Sequence, residues 1–245
     1  MTSDQQHTSN SEVRPSKPAE PRSCSPLVTR HSSLFLASSN PGKLREFRAA
    51  AAVRGVTVEA LPGFAELPGC SEDGMTFEEN ARKKAAHYSR TFPGWVFADD
   101  SGLCVDALDG APGVYSARFA GPEATDEQNN QRLLAEIHQV EVRARHDVPV
   151  HRHGVSPESP FDRSAHYICV IALAEGGQEV TTVEGRADGV IIDEARGSGG
   201  FGYDPYFLYP SLSKTFAEIS PEKKFGVSHR GAAFRKLLDY LCARE

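Results

Sequence analysis

Two adjacent carboxylates, Asp99 and Asp100, are the first residues whose types and spacing could do chemistry. They follow the apolar run 95–98, which predicts a strand that stops at Asp99. Ligands gather at the carboxyl ends of strands in α/β sheets, and two carboxylates there must be solvated or paired. They could hold a divalent cation such as Mg²⁺, or they could form an Asp-Ser-Gly turn without a ligand. Glu72, which precedes a predicted helix, leaves the same choice between a metal ligand and a favourable helix start.

The turn 38–43 could bind an anion. It joins a predicted strand to a predicted helix, with Asn40 as the N-cap and Pro41 in the first helical position. Free N–H groups and the helix dipole favour an anion at such a start. Gly42 permits close backbone approach, and Lys43 adds a positive charge. An ordinary capped helix with an exposed lysine is the alternative.

The glycine-rich segment 197–205 excludes a regular element, yet it carries the large side chains of Phe201 and Tyr203. Aromatic rings on such a loop suit stacking on a flat ligand. Asp204 can accept hydrogen bonds from ring N–H donors. The alternative is a loop whose two aromatic rings fill the core.

Basic residues recur near the C-terminus, where Lys224 precedes His229 and Arg230. Lys, His and Arg together could bind a phosphate or a carbonyl oxygen of a purine. A solvated helix face is the alternative. Lys84 leaves the same two options, and it shares a predicted helix face with Asn80, four residues earlier.

Charge and composition exclude several functional classes. Among 245 residues, 33 are acidic and 27 are Lys or Arg, so the net charge is −6. This acidic balance argues against a general nucleic-acid binder, and no apolar run is long enough to span a membrane. The 5 cysteines are scattered singly, which suggests neither a zinc site nor a disulfide framework. They predict a reducing compartment such as the cytoplasm.

The elements that must position these residues indicate an α/β fold with a mixed sheet flanked by helices. Residues 1–32 are rich in Ser and Pro and lack aromatic residues, which favours a disordered tail over a targeting peptide. The folded part is 33–245, with a long loop at 141–165. Helix starts are predicted at four caps: Asn40, Thr76, Thr125 and Ser220. Strands are predicted at 34–37, 56–61, 95–98, 167–174, 180–183 and 189–192.

Six segments, in this order, resemble the inosine triphosphate pyrophosphatase family, which hydrolyses non-standard purine nucleoside triphosphates such as ITP, dITP and XTP. The matching segments are 36–43 with Glu46, 72–81, 98–103, 110–118, 199–205 and 228–231. They cover about residues 33–243. Ordered matches of this kind are far more specific than any single motif. The tail 1–32 lies outside the resemblance, and 141–165 is longer than is usual in the family.

The resemblance implies a two-lobed fold with an active-site cleft, Mg²⁺ as cofactor, and a homodimer without nucleic-acid or membrane partners. It implies cleavage to a nucleoside monophosphate and pyrophosphate. It makes Asp100 the catalytic residue and Glu72 and Asp100 the metal ligands. The implied substrate-binding residues are Ser38, Ser39, Asn40, Pro41, Gly42, Lys43, Ser101, Phe201, Gly202, Tyr203, Asp204, Lys224, His229 and Arg230.

Two other functions remain open at this point. The same fold class includes pyrophosphatases for modified pyrimidine nucleotides, and the segment 201–203 favours a purine only weakly. A nucleotide-binding module without catalysis is the second alternative. The presence of acids at both Glu72 and Asp100 argues against it.

Overall fold

A seven-stranded sheet flanked by helices forms the centre of the protein. The computed structural model describes residues 33–146 and 161–243. The strands are β1 (Ser33–Leu36), β2 (Thr57–Ala60), β3 (Trp95–Val105), β4 (Ser164–Glu175), β5 (Gln178–Ile191), β6 (Phe207–Tyr209) and β7 (Lys214–Thr215). The helices are α1 (Pro41–Ala52), α2 (Phe77–Ser89), α3 (Asp126–His146), α4 (Pro221–Val227) and α5 (His229–Cys242).

The sheet is mixed, which confirms the predicted fold class. Its strand order is β2-β1-β3-β4-β5-β6-β7. β1 is parallel to β2 and β3, whereas each pair from β3 to β7 is antiparallel. β4 and β5 contain the predicted strands 167–174 and 180–183 and form a hairpin, and Gly176 and Gly177 turn the chain there with positive φ.

The core lies on both faces of the sheet because side chains alternate along a strand. Phe97 of β3 packs with Phe47 of α1 and Phe234 of α5 on one face. Val96 and Ala98 pack with the apolar side of α2 on the other face. Gly185 of β5 allows α5 to approach closely, since a Cβ atom there would overlap the helix backbone.

The prediction that the third strand stops at Asp99 is wrong. β3 continues to Val105, because β4 pairs with it from Val96↔Ala174 to Val105↔Ala165. Its parallel neighbour β1 ends at Leu36, opposite Phe97. Residues 99–101 therefore remain part of a strand but extend beyond β1.

Two further boundaries differ from the sequence predictions. The segment 189–192 is not a separate strand, because β5 runs without interruption to Ile191. The helix that begins after Ser220 is divided in two at Ser228, whose side chain accepts a hydrogen bond from the Gly231 N–H and so caps α5. His229 and Arg230 consequently lie in the first turn of a new helix.

The predicted loop 141–165 is shorter than expected, because α3 extends to His146 and β4 begins at Ser164. Residues 147–160 and the predicted tail 1–32 lie outside the described residues. Cys242 is disulfide-bonded, which the scattered cysteine spacing did not predict. No helix within the described ranges is both long enough and apolar enough to cross a membrane.

Candidate functional site

β3 presents its polar residues to both faces of the sheet. Asp99 and Ser101 face α1 and α5, where Asp99 binds Lys43 and Ser101 binds Arg230. Asp100 points to the opposite face and contacts α2. The two faces thus meet at three consecutive residues that extend beyond the end of β1.

On the α2 face, Glu72, Asn80, Lys84 and Asp100 form what we call the acidic cluster. The Lys84 Nζ atom lies 3.3 Å from both Glu72 Oε2 and Asp100 Oδ1. It also donates to the main-chain oxygen of Asp99 at 2.8 Å. Asn80 Nδ2 donates to Asp100 Oδ2 at 3.2 Å, while its Oδ1 accepts from the Gly74 N–H. One buried ammonium group is therefore shared by two carboxylates.

Burial and charge determine the protonation states in this cluster. Burial raises the pKa of Asp100 above its ordinary value, although Lys84 and the hydrogen bond from Asn80 oppose the rise. Burial would lower the pKa of Lys84, but the negative charges of Asp100, Asp99 and Glu72 outweigh it, so its pKa is raised. Lys84 is accordingly positive, and Asp100 is a stronger base than an ordinary carboxylate.

The donor set of the acidic cluster fits Mg²⁺. The cation usually binds one or two carboxylates and completes its coordination with waters and substrate phosphates. Glu72 and Asp100 supply two carboxylates that already converge on one positive charge. Within 33–146 and 161–243, no three His, Cys, Asp or Glu side chains form a closed metal cage. The acidic cluster therefore fits a metal ion whose coordination shell includes oxygens of a phosphate ligand.

The turn before α1 is capped by its own side chains. Asn40 Oδ1 accepts hydrogen bonds from the N–H groups of Gly42 (2.8 Å) and Lys43 (3.2 Å), and Ser38 Oγ accepts from the Asn40 N–H. The predicted N-cap is confirmed, since the Asn40 side chain satisfies these two N–H groups. Binding of an anion at this turn stays a prediction. Ser39 and Pro41 are exposed.

On the opposite face of β3, Asp99 joins two cations. Lys43 Nζ lies 3.0 and 2.8 Å from its two carboxylate oxygens, and Arg230 Nε lies 3.6 Å from Oδ2. Burial would raise the pKa of Asp99, but Lys43, Arg230 and Lys84 hold it well below its ordinary value. Arg230 also donates to Glu46 (2.9 Å) and to Ser101 Oγ (3.3 Å). Its Nε is buried without a hydrogen-bond partner.

The glycine-rich segment places its two aromatic residues differently. Phe201 is 39% exposed, and the Lys224 Nζ lies 4.8 Å from its ring centre. Tyr203 is buried in the core and donates to the main-chain oxygen of Ser116. Asp204 Oδ2 accepts from Lys224 Nζ at 2.5 Å and from the Phe201 N–H at 2.9 Å. Tyr203 therefore fills the core, whereas stacking of Phe201 on a flat ligand stays a prediction.

His229 stacks on Tyr167, with ring centres 4.6 Å apart and planes inclined by 8°. Burial lowers the pKa of His229 well below its ordinary value, and the nearby charges of Arg230 and Lys224 lower it further. The imidazole is therefore neutral, and its buried Nδ1 has no hydrogen-bond partner.

These side chains surround a pocket of about 300 Å³, which we call the cationic pocket. Of the predicted site residues, the following line it: Asn40, Lys43, Ser101, Phe201, Gly202, Tyr203, Asp204, Lys224, His229 and Arg230. The remaining predicted residues lie outside its lining: Ser38, Ser39, Pro41, Gly42, Glu72 and Asp100. The last two belong to the acidic cluster across β3.

Several residues of the site were not among the predicted ones. Lys84 and Asn80 share a predicted helix face, and the adjacent carboxylates of Asp99 and Asp100 are the signal that could assign Lys84 as their counter-ion. Tyr167 begins the predicted strand 167–174, and a strand pattern gives no signal of stacking on His229. Asp126 lines the pocket from α3, where the Thr125 cap predicted only a helix start.

Cations and aromatic rings surround the pocket of this α/β fold, and the acidic cluster beside it is compatible with magnesium. These features define a class of protein that binds a small, planar, anionic molecule. The chain belongs to the Ham1 family, whose sequence model matches residues 34–240. The family resemblance expected from the ordered motifs is thereby confirmed.

Relatives with similar sequences and structures agree with this assignment. A dITP/XTP pyrophosphatase from Acidobacterium capsulatum is 46% identical over 215 residues, covering 84% of this chain and 96% of that protein. One from an Exiguobacterium species is 45% identical over 204 residues, covering 83% and 94%. The structure of a HAM1 protein from Coxiella burnetii superposes with a TM-score of 0.71 at 37% identity, covering 85% of this chain and 98% of that one.

Proposed function

We propose that the protein hydrolyses non-standard purine nucleoside triphosphates, namely ITP, dITP and XTP, to the monophosphate and pyrophosphate, and so removes them from the nucleotide pool. The observation that carries the proposal is that one short stretch of β3, residues 99–101, contributes to both the acidic cluster and the cationic pocket. A ligand that extends from the pocket past the end of β1 would reach the Asp100 carboxylate on the other face of β3. The dITP/XTP pyrophosphatases to which the chain is similar support the same reaction.

Substrate binding would use cations that are already held in place. Lys43 is bound to Asp99 and is partly exposed in the pocket. The triphosphate would compete with Asp99 for Lys43 and gain charge-assisted hydrogen bonds. Phe201 would stack on the base at the pocket, next to the Lys224 ammonium group.

Hydrolysis requires water to attack phosphorus while negative charge develops on the leaving pyrophosphate. Asp100, whose pKa is raised by burial, would orient that water and accept its proton. Lys84 would compensate the negative charge around Asp100. Glu72 and Asp100 would hold Mg²⁺, which when bound would neutralise charge on the phosphates.

Discrimination between ITP and ATP follows from buried donors. Arg230 and His229 line the pocket, and each has one buried side-chain nitrogen without a hydrogen-bond partner. Inosine carries an oxygen at C6 that could accept from such a donor, whereas adenosine carries an amino group that would leave it unpaired. A buried donor left unpaired disfavours the wrong substrate strongly.

Ion-exchange analysis of the products from ITP with Mg²⁺ tests the proposal, with ATP and GTP run in parallel. We expect IMP and pyrophosphate from ITP, with ATP and GTP largely spared. IDP and phosphate would refute the proposed cleavage position. If no purine nucleotide is hydrolysed, the purine assignment is wrong, and a panel of modified pyrimidine nucleotides is the next measurement.

The proposal includes Mg²⁺ as the cofactor and a cytoplasmic homodimer that binds neither nucleic acid nor membranes. Two carboxylates converging on one charge support the metal, and the net charge of −6 argues against nucleic acid. The dimer rests on the resemblance to the family. The scattered single cysteines favour a reducing compartment such as the cytoplasm.

A further inference from the structure

Helix α3 holds the glycine-rich segment at one residue, Gly202. The Gly202 N–H donates to Asp126 Oδ2 at 2.6 Å, and its carbonyl oxygen accepts from Asn130 Nδ2 at 3.0 Å. Asp126 and Asn130 are four residues apart, so they lie on one face of α3. Both main-chain groups of a single residue are thus bound by side chains from the same helix.

Gly202 is a position where such anchoring has consequences. Its φ is +61°, in the left-handed region that glycine adopts most easily. It directly follows Phe201, whose ring lies next to Lys224 at the pocket. The other end of this short stretch is held by Asp204, which binds both Lys224 and the Phe201 N–H. The position of the Phe201 ring therefore depends on α3 on one side and α4 on the other.

The chemistry of the two α3 side chains is fixed by their partners. The side chain at position 126 must supply an acceptor oxygen for the Gly202 N–H. Asn130 is 6% exposed. The side chain at position 130 must supply a donor for the Gly202 carbonyl oxygen, because the reverse amide orientation would place two acceptor oxygens together. An acceptor at one position and a donor at the other are required.

We infer that Asp126 and Asn130 are positioning residues for base recognition, which act through Gly202 on the placement of Phe201. This inference rests on the proposed function. They contribute to the KM for the purine nucleotide and to discrimination between ITP and ATP, and not to the chemical step, which occurs at the acidic cluster. Asn130 does not line the pocket, so its effect on the base is indirect.

Exchanging carboxylate and amide at each position tests the inference without a large change of shape. Asp126→Asn keeps an acceptor oxygen for the Gly202 N–H, so we expect it to raise the KM less than Asp126→Ala does. Asn130→Asp removes the donor, and Asp126→Ala removes the acceptor. We expect each of these to raise the KM for ITP about tenfold, the effect of one lost hydrogen bond to an ordered group. We expect kcat to change by less than about twofold and the ratio of kcat/KM for ITP to that for ATP to fall.

Glu127→Ala and Gln131→Ala are the matched controls. Glu127 is an exposed acid in the same first turn of α3, and it contacts Gln131 within the helix. Both controls should behave as wild type. If Glu127→Ala raises the KM as much as Asp126→Ala, the acids merely stabilise the helix start, and the inference is wrong.

Hydrogen exchange of the peptide that contains Gly202, measured without nucleotide, provides a readout independent of activity. Faster exchange in Asn130→Asp and Asp126→Ala, but not in Asp126→Asn, is the expected result. Unchanged KM and unchanged ITP/ATP discrimination in active variants would overturn the inference and leave the proposed function intact. Failure of the wild-type protein to hydrolyse ITP would instead refute the proposed function itself.

Discussion

The two faces of β3 differ in how their charges are balanced. In the acidic cluster, the two carboxylates of Glu72 and Asp100 share the single ammonium group of Lys84, and the Glu72 side chain is 42% exposed. Negative charge is in excess there and is open to solvent. An excess of this kind attracts a divalent cation and a water molecule, which are the groups that hydrolysis of a phosphoanhydride requires.

In the cationic pocket, each positive charge is matched. Lys43 pairs with Asp99, Arg230 with Glu46 and Asp99, and Lys224 with Asp204. Nearly all of these groups are buried, so their positions are fixed by hydrogen bonds in a medium of low polarity.

The difference assigns different tasks to the two regions. A region with unbalanced, accessible charge can take up ions and move a proton. A region with balanced, buried charge holds donors in fixed positions and can therefore distinguish one base from another. Substitutions in the acidic cluster should mainly lower kcat, whereas those in the cationic pocket should alter KM, discrimination and stability.

The largest effect we expect comes from Asp100→Asn. The amide keeps the shape and can still accept from Asn80 or Lys84, but it is no base and carries no charge. Turnover of ITP should fall about 10³-fold, within the range for loss of a general base. Pyrophosphate release measures the rate, and circular dichroism verifies the fold. Asp73→Asn, at a nearby exposed acid paired with Lys83, is the control and should retain activity. Normal turnover in Asp100→Asn would exclude Asp100 from the chemical step.

A smaller loss of turnover should follow Lys84→Met. The substitution leaves Glu72 and Asp100 without their shared counter-ion and removes the hydrogen bond to the Asp99 carbonyl. We expect kcat to fall about 10²-fold, as for loss of one electrostatic partner in an active site. Lys83→Met is the matched control, because Lys83 is its exposed neighbour and binds only a surface carboxylate among the ion pairs of the described residues. If Lys83→Met and Lys84→Met reduce kcat equally, the special position of Lys84 is refuted.

Features with local signals were predictable from the sequence. Side chains of Asn40, Thr76, Thr125 and Ser220 accept main-chain hydrogen bonds at the four predicted helix starts. The hairpin and the mixed sheet also follow from local patterns. The division of the site between two faces of β3 could not be predicted, because the strand was predicted to stop at Asp99 and so did not include Asp100 and Ser101.

The error at Asp99 has a physical cause that no local pattern contains. A carboxylate in a strand interior is unfavourable unless it is paired, and the pairing group, Lys43, lies 56 positions earlier in the sequence. Arg230, its second partner, comes from the far end of the chain. Likewise, a cap at Ser228 divides a helix that the periodicity of Leu237, Leu238 and Leu241 left continuous. Charge pairing between residues distant in sequence stabilises Asp99 within the strand, and the hydroxyl group of Ser228 divides the helix.

The smallest of the three effects, and the one that most directly tests the matched charges of the cationic pocket, concerns Lys224→Met. Lys224 is buried against the Asp204 carboxylate, so its removal leaves that carboxylate without its cation. The free energy of unfolding at neutral pH should fall by about 2 kcal/mol, the desolvation penalty of one unpaired buried group. Urea denaturation measures the change, and the exposed neighbour variant Lys223→Met should be neutral.

The pH dependence of this loss distinguishes charge pairing from packing. Burial raises the pKa of Asp204 although Lys224 opposes the rise, so the folded state favours the protonated acid more than the unfolded state does. The contribution of Asp204 to stability is therefore largest at low pH and declines as the pH rises through its folded-state pKa. Without Lys224 that pKa is higher still, so the decline extends to higher pH and its total is larger. The destabilisation by Lys224→Met should accordingly be greatest near neutral pH and shrink toward about pH 4; an equal loss at both pH values would show that Lys224 contributes by packing alone.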